Sequence, residues 1–216
     1  MQPDGYNRRL EVMNDTGSAD VDAYDADRIL VARICAGSEA AFADFVNTYR
    51  DRVSGYIFRL IPNDHDREEV CQDVFIKAWH GLREFRFQSA LSTWLYRIAW
   101  HSAISYIRSN RTRMGLIEAQ EDMSLYENEA PDSGPEREIG DQELYGLLNE
   151  EVSCLTIEEK SLLSLYHYLE LGVADIGQVM SRPVGTIKSD LSRVRKKLRD
   201  RVVRRLGTQV ISGEMG

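Results

Sequence analysis

The chain has 216 residues and 43% hydrophobic content, which is enough for a folded core in one large domain or two small ones. Its formal net charge is −8, and the odd, widely spaced cysteines Cys35, Cys71 and Cys154 argue against a disulfide framework. We find no signal peptide and no apolar run long enough to cross a bilayer, so we expect a cytoplasmic protein without membrane insertion.

Acidic and basic residues are segregated along the sequence. No Asp or Glu occurs between Glu84 and Glu118, although this stretch holds five arginines, and a second basic block runs from Arg193 to Arg205. The acids concentrate in the first 27 residues and between Glu118 and Glu159. Because phosphate contacts need Lys and Arg, the two basic islands predict two contacts with one polyanion in spite of the negative total.

The N-terminal part is predicted to be an extension followed by two helices. Residues 1–24 are polar, acidic and aperiodic, which favours disorder. From Asp25 onward, apolar residues recur at helical spacing until Gly37. Ser38 suits the N-cap of the long second helix, because its hydroxyl can accept a hydrogen bond from an orphan backbone N–H.

A third helix is predicted from about Asp66 to His80, after a break at Pro62. Its apolar face is formed by Val70, Val74, Phe75, Ala78 and Trp79. Its other face carries acids and an amide, together with one lysine: Glu68, Glu69, Gln72, Asp73 and Lys77. Such a face is either a solvated surface or a docking site for a partner protein, and the sequence leaves these two interpretations open.

A fourth helix, from about Ser89 to Ser109, combines arginines with aromatic residues. Its core stripe is predicted to be Leu91, Leu95, Ile98 and Ser102. Trp100 and Tyr106 beside Arg97 and Arg108 suit melted DNA, because bases stack on such rings while cations hold the backbone. The alternative is that these aromatic residues simply pack inside a helical bundle.

Residues 114–139 are rich in Glu, Asp, Ser, Gly and Pro, which predicts a linker. Helices resume from residue 140, where Thr156 and Glu159 have the spacing of a capping box. The tail, residues 207–216, is predicted to be loose. Since no strand-like alternation persists anywhere, we expect an all-α protein with one domain on each side of the linker.

The stretch from Arg182 to Leu198 is the most informative part of the chain. It predicts a helix with an apolar seam formed by Ile187, Leu191, Val194 and Leu198. A short amphipathic helix precedes it, and Pro183 suits the start of the second helix. This pattern predicts a helix-turn-helix whose cationic second helix enters a major groove. The alternative is a cationic helix near a C-terminus that is only a solvated face.

Three segments resemble bacterial group IV sigma factors, the extracytoplasmic function (ECF) class of the sigma-70 family. The run Asp66–Trp79 resembles region 2.2, which binds core RNA polymerase, and Phe87–Ala99 resembles the loop and helix that capture the −10 element. The run Arg182–Leu198, with its Pro-Val-Gly-Thr-Ile-Lys-Ser core, resembles region 4.2. The three segments occur in the family's order and are split by a variable acidic linker.

The resemblance implies a promoter-specificity factor with two helical domains, region 2 (25–113) and region 4 (140–206), and without catalytic residues, cofactor or metal. Region 2 would dock on the β′ coiled coil of core RNA polymerase through Glu69, Gln72, Asp73 and Lys77. It would bind the melted −10 element of promoter DNA through Phe87, Gln88, Ser89, Arg97, Trp100, His101 and Arg108. Region 4 would dock on the β flap and read the −35 element with Arg182, Thr186, Lys188, Ser189, Ser192, Arg193 and Lys196. Two tethered domains also suggest an anti-sigma protein that clamps both.

The chain departs from the family's pattern at several positions. Asp190 stands where the family usually has Arg, and it could read a cytosine amino group or pair with Arg193 or Arg182. His101-Ser102 and Ser105 replace the Asn and Asp that are common in the −10 helix of the family, and Gly172 takes a cap position that is usually Ser.

Two other classes of protein compete with this interpretation. A stand-alone helix-turn-helix regulator explains residues 155–206 but gives no purpose to the second basic helix or the acidic face. A metal- or redox-sensing enzyme would use Cys71 with His65 or His101, but these residues are scattered in the sequence.

Overall fold

The computed structural model describes residues 16–113 and 139–213, with side chains described for 24–110 and 146–206. Within these ranges the chain is helical and has no strand, which confirms the all-α prediction. The α-helices are α1 (Thr16–Cys35), α2 (Glu39–Phe58), α3 (Asp64–Gly81), α4 (Leu91–Arg113), α5 (Ile139–Ser153), α6 (Ile157–Leu163), α7 (Val173–Met180) and α8 (Val184–Gly213).

Local capping sets the starts of α2 and α3. The predicted N-cap Ser38 accepts a hydrogen bond from the Ala41 N–H at 3.3 Å. Asn63 does the same for the Asp66 N–H at 3.1 Å, so α3 begins slightly before its predicted start. In both cases the side chain satisfies a backbone donor that the first turn leaves unpaired.

The inner face of α3 packs on α2 as the apolar pattern predicts. Val70, Val74 and Ala78 are buried. Trp79 meets the Phe42 ring edge-on at 4.7 Å, and Phe75 meets Phe45 at 6.2 Å. Edge-to-face pairs of this kind add to the free energy gained from burial alone.

The first helix is longer than predicted. It begins at Thr16 rather than Asp25, so the prediction of disorder is wrong for residues 16–24, while residues 1–15 lie outside the described part. Tyr24 extends the contacts of α1, because its ring meets Phe87 edge-on at 5.9 Å. The sequence pattern could not reveal this contact, since Phe87 lies far along the chain.

The second half of the chain folds around α6 and the long α8. The predicted capping box is present, with the Glu159 N–H donating to the Thr156 hydroxyl and the Thr156 N–H donating to the Glu159 carboxylate. Glu159 also accepts from Lys197 at 2.9 Å, and Glu151, which is 3% exposed, pairs with Arg201 at 2.7 Å. These pairs fix α5 and α6 against α8, which continues to Gly213 instead of ending near Leu206.

The helix-turn-helix is formed by α7 and α8. Gly172 is the N-cap of α7, and Ser181 ends this helix in the left-handed conformation with φ of 55°. The Pro183 carbonyl then accepts the first helical hydrogen bond of α8, from the Ile187 N–H. Gly177 allows the turn to fold tightly, because a Cβ there would lie 2.9 Å from the Arg182 carbonyl oxygen.

We expect Gly177→Ala to destabilise the helix-turn-helix by about 1–3 kcal/mol, because backbone must move to accept the methyl group. Urea unfolding of the full chain measures this loss. Gly185→Ala is the matched control, since nothing lies within 4 Å of its Cβ position and alanine favours the helix. Equal stability of the two variants would contradict the prediction.

The two helical units pack against each other directly. Helix α7 lies on α4, where the Thr93 hydroxyl and the Asp175 carboxylate are 3.3 Å apart. A π-helical turn (Ser164–Tyr168) follows α6 and reaches α2, where the guanidinium of Arg59 lies 3.7 Å from the centre of the Tyr168 ring. The buried core is therefore continuous across both units.

Candidate promoter and polymerase interfaces

The second helix of the helix-turn-helix has the two faces that the sequence predicts. Ile187, Leu191 and Val194 are buried. All the residues predicted to read the −35 element are exposed: Arg182, Thr186, Lys188, Ser189, Ser192, Arg193 and Lys196. The exposed side of α8 thus carries short polar groups first and cations further along, as a major-groove helix needs.

Asp190 lies between two arginines of this surface. Its carboxylate accepts from Arg182 at 3.2 Å and from Arg193, one turn further along α8. The Asp190 side chain is only 15% exposed, so the ion pairs occupy most of it. Of the two roles considered for Asp190, this structure shows pairing with the arginines.

The basic block from Arg193 to Arg205 is not one uniform surface. Lys197, Arg201 and Arg205 pair with acidic residues of α5 and α6, namely Glu159, Glu151 and Glu150. The cations that line the groove on the other side of α8 are Lys188, Arg195, Lys196 and Arg199. Only part of the block predicted from the sequence is therefore placed to meet phosphates.

The cationic groove has a volume of about 520 Å³ and includes an aromatic wall. Tyr166 forms this wall, and the guanidinium of Arg195 lies 4.6 Å from the centre of its ring. Lys188, Ser192 and Lys196 lie along the groove at one-turn intervals. Neither Lys188 nor Lys196 makes an ion pair with a residue of the described chain.

Helix α4 exposes a narrower stripe than predicted. Arg97, His101, Ser105 and Arg108 are exposed and follow each other at helical spacing. Trp100 and Ile104 are each only 7% exposed, so of the two interpretations given for Trp100 this structure shows packing inside the helical bundle. The reason is that α4 packs on three neighbours, α2, α3 and α7, which leaves one edge for solvent.

His101 is held in its neutral form more strongly than an ordinary histidine. Partial burial lowers the pKa of its imidazole, and the positive charge of Arg97 lowers the pKa further. At neutral pH the stripe therefore presents His101 as a neutral ring between the cations Arg97 and Arg108, suited to stacking or hydrogen bonding with a base.

The loop before α4 encloses a pocket of about 350 Å³. Phe85 and Trp94 supply aromatic surface, and their ring centres are 5.1 Å apart. The polar lining is contributed by Glu84, Arg86, Gln88, Ser89 and Arg97, with Gln178 of α7 at one side. Aromatic walls and hydrogen-bonding groups are what a flipped base requires.

Phe87 does not line this pocket, although it was predicted to bind the −10 element. Its backbone is left-handed with φ of 54°, and its ring packs against Phe85 at 4.6 Å. The guanidinium of Arg28 lies 5.7 Å from the centre of the same ring. Phe87 therefore anchors the loop to α1 and shapes the pocket from behind.

The outer face of α3 carries one residue that the sequence analysis missed. Glu69, Gln72 and Lys77 are exposed, and Asp73 is half-buried. The Lys77 ammonium donates to the Asp73 carboxylate at 2.5 Å and to the Ser102 hydroxyl of α4 at 2.9 Å. Ile76 lies on the same face and is 58% exposed. The sequence contained a signal for this exposure. Ile76 comes three residues after Asp73 and is out of phase with the buried Val70 and Val74, so helical spacing places it on the outer face.

Comparisons with known proteins identify the family of this chain. The family model of Sigma-70 region 2 matches residues 45–113, and that of Sigma-70, region 4 matches residues 145–198. The ECF RNA polymerase sigma factor SigW of Bacillus subtilis is 30% identical over 178 residues, which cover 79% of this chain and 95% of SigW. The chain belongs to the ECF sigma factors of the sigma-70 family. It is a promoter-recognising sigma factor of RNA polymerase.

Other relatives show the same family. The ECF RNA polymerase sigma-E factor of Haemophilus influenzae is 32% identical to this sigma factor over 82% of this chain and 95% of its own length. The solved structure of RpoE with the anti-sigma factor NepR from Bartonella quintana has a TM-score of 0.58 at 20% identity and covers 74% of this chain and 96% of that chain. The structure of CnrH in complex with the cytosolic domain of CnrY has a TM-score of 0.56 at 20% identity. The match covers 81% of this chain and 96% of that chain. These two structures share its fold.

A metal or redox site does not emerge around the cysteines. Among the described residues of this sigma factor, no group of three or more His, Cys, Asp or Glu side chains could hold a metal ion. Burial raises the pKa of the Cys71 thiol, which disfavours the reactive thiolate. No helix of the described part is long and apolar enough to span a membrane.

We expect Asp190→Asn to strengthen duplex binding by this sigma factor. Removing the carboxylate releases Arg182 and Arg193 for phosphates and adds one net positive charge. The dependence of log K on log salt should become steeper by about 0.9. Fluorescence anisotropy of a −35 duplex across a KCl series measures the slope. Asp200→Asn, at an exposed aspartate further along α8, is the matched control, and identical slopes would contradict the role given to Asp190.

Proposed function

We propose that α8 reads the −35 element and that the outer face of α3 docks on the β′ coiled coil of core RNA polymerase. The observation that carries this proposal is the exposure of every predicted −35 residue on a helix whose other side is buried. On α3, the exposed Ile76 among Glu69, Gln72 and Asp73 has the composition of an interface core with a polar rim.

The loop pocket and the stripe on α4 form the proposed −10 site. Gln88 and Ser89 can hydrogen-bond a flipped base, while the rings of Phe85 and Trp94 stack on it. Arg97 would hold the backbone of the melted strand, with His101 and Arg108 further along the stripe. Flipping costs a few kcal/mol, which binding to the polymerase and the pocket together can offset.

The division of labour leaves no reaction for this chain to catalyse. Polymerisation and its Mg²⁺ belong to the core enzyme, and the sigma factor supplies recognition and strand separation. It would act where polymerase and chromosome meet, in the cytoplasm.

Run-off transcription on a library of promoter fragments, with purified core polymerase and with or without this chain, tests the proposal. We expect initiation only when the chain is present, at fragments that share −35 and −10 sequences. Duplex binding without core binding or initiation would replace this proposal with the stand-alone helix-turn-helix regulator.

An anti-sigma protein is the further partner that we propose. A groove of about 540 Å³ lies at the junction of the two domains, between Phe58 on one side and Leu148, Val152 and Leu198 on the other. Two arginines border its apolar lining, Arg59 and Arg195, and the largely buried Lys160 also contributes to the lining. An amphipathic helix with acidic residues would fit this groove, and the similar RpoE structure contains an anti-sigma factor.

Purification of the chain from its native host under non-inducing conditions tests this partner. A tight one-to-one complex, lost when Leu148→Asp is introduced in the groove, would support it. Recovery of the chain without such a partner under those conditions would refute it.

A further inference from the structure

One turn of α1 contacts both ends of the loop that contributes to the proposed −10 pocket. The loop residues 88–90 lie between Phe87 and Leu91, the first residue of α4. The α1 residues that contact these two ends lie within one helical turn: Tyr24, Asp27 and Arg28. Because positions i, i+3 and i+4 of a helix share a face, a single face of α1 meets both ends of the loop.

The first end of the loop is held through the ring of Phe87. Its backbone is left-handed with φ of 54°, a conformation that is unfavourable for a residue with a side chain. Contacts of the ring stabilise it: the Tyr24 ring meets it edge-on with centres 5.9 Å apart, and the guanidinium of Arg28 lies 5.7 Å from its centre. The same guanidinium lies 5.7 Å from the centre of the Tyr24 ring, so the three groups form one cluster.

This cluster continues into the wall of the pocket. Phe87 packs on Phe85 with ring centres 4.6 Å apart, and Phe85 packs on Trp94 at 5.1 Å. Phe85 and Trp94 line the pocket. A row of four rings therefore connects Tyr24 to the surface on which a base would stack. Since packed side chains transmit displacements to their neighbours, a change at Tyr24 would shift the Phe85 wall.

The second end of the loop is held through the carboxylate of Asp27. Burial raises the pKa of this carboxyl, and the Leu91 N–H opposes part of the rise by donating a hydrogen bond to the carboxylate. Burial also raises the pKa of the Tyr49 hydroxyl to about 12, with a smaller contribution from the charge of Asp27, which places this carboxylate near α2 as well. The first N–H groups of a helix have no partner within the helix. Asp27 therefore caps α4 from another helix and fixes where the loop ends.

We propose that this turn of α1 positions the −10 loop, and that Tyr24, Asp27 and Arg28 are positioning residues for recognition of the flipped base. The inference rests on the proposed role of the loop pocket in −10 binding. None of the three side chains lines the pocket, so each acts through an end of the loop rather than through contact with the base. All three precede residues 45–113, which the family model of region 2 matches.

Binding of single-stranded DNA by the complex of this chain with core polymerase tests the proposal. The probe is a fluorescent oligonucleotide with the −10 sequence selected in the run-off experiment, and abasic sites replace its bases one at a time. For the parent chain, we expect loss of the flipped base to weaken binding about tenfold. For Tyr24→Ala and for Asp27→Ala, this factor should fall to about twofold or less, because the pocket no longer fits the base. Affinity for the probe that lacks this base should stay at the parent's value, since Arg97 remains exposed to hold the backbone.

Conservative variants separate positioning from a general loss of structure. Tyr24→Phe keeps the ring, and Asp27→Asn keeps an oxygen that can accept from the Leu91 N–H, so both should retain the parent's discrimination. Asp25→Ala is the matched control, because Asp25 is an exposed acid on the same helix. Binding of a −35 duplex should be the same for the parent and all variants.

The outcomes distinguish this inference from the −10 site on which it rests. Alanine variants that keep the parent's discrimination would overturn the role of α1 and leave the pocket in place. Equal losses of affinity for the intact and abasic probes would also overturn it, because they would show general weakening rather than lost recognition of one base. A parent chain whose binding depends on no single base would overturn the pocket itself, and this inference with it.

Discussion

Replacing Ile76 by glutamate is expected to remove most transcription by this sigma factor. Ile76 is the exposed apolar residue on the outer face of α3, and such a residue at the centre of a polar surface commonly dominates an interface. Its burial against the polymerase should be worth about 2 kcal/mol or more, which corresponds to about thirtyfold in affinity. Glutamate would also add a negative charge beside Glu69 and Asp73.

Core affinity and run-off yield measure the effect, and the fold should be unaffected because exposed substitutions rarely change stability by more than about 0.5 kcal/mol. Ile29→Glu is the matched control, at an isoleucine on α1 that is 63% exposed. Equal losses in the two variants would mean that added charge, rather than the α3 face, weakens the complex.

The double variant Lys188→Ala with Lys196→Ala is expected to lose −35 binding. Both side chains line the cationic groove beside α8 and have no acidic partner in the described part of the chain. The loss of two phosphate contacts should make the slope of log K against log salt shallower by about 1.8. At moderate salt, affinity for a −35 duplex should fall at least tenfold, and transcription from promoters that depend on this element should fall with it.

Lys197→Ala is the matched control for this double variant. Lys197 is adjacent in sequence but its ammonium pairs with Glu159 at 2.9 Å, so it is directed away from the groove. The salt slope should stay at the parent's value, with only a small loss of stability. If Lys197→Ala lowers the slope as much as either groove lysine, the division of the basic block by ion pairing is wrong.

Local features of the fold could be predicted well from the sequence. The helix starts at Ser38 and Thr156 are predictable because capping depends on residues within one turn. Gly172 has no side chain to form a cap, and its cap position follows only from the resemblance to the sigma factors. The apolar seam at Ile187, Leu191 and Val194 was equally clear, because helical spacing alone determines which residues share a face.

Features that depend on distant parts of the chain could not be predicted. Trp100 and Ile104 are buried because α4 packs on α2, α3 and α7, and nothing in the local pattern of α4 indicates those neighbours. Arg201 turns inward because it pairs with the buried Glu151 of α5. Glu151 is 50 residues earlier in the sequence, so charge counts along the chain do not reveal this pair. Residues 16–24 are helical in spite of their polar composition, so composition alone was a poor guide there.

The pairing of Asp190 with two arginines has a consequence for the chromosome as a whole. A cell offers on the order of a million or more random duplex sites for every promoter, and each of them attracts a cationic helix through phosphates alone. If α8 meets DNA as proposed, the pairing of Asp190 with Arg182 and Arg193 would partly neutralise both cations and so weaken this indiscriminate attraction to phosphates. Fewer sigma factor molecules would then be sequestered on irrelevant DNA, and a larger share would remain available to compete for core polymerase.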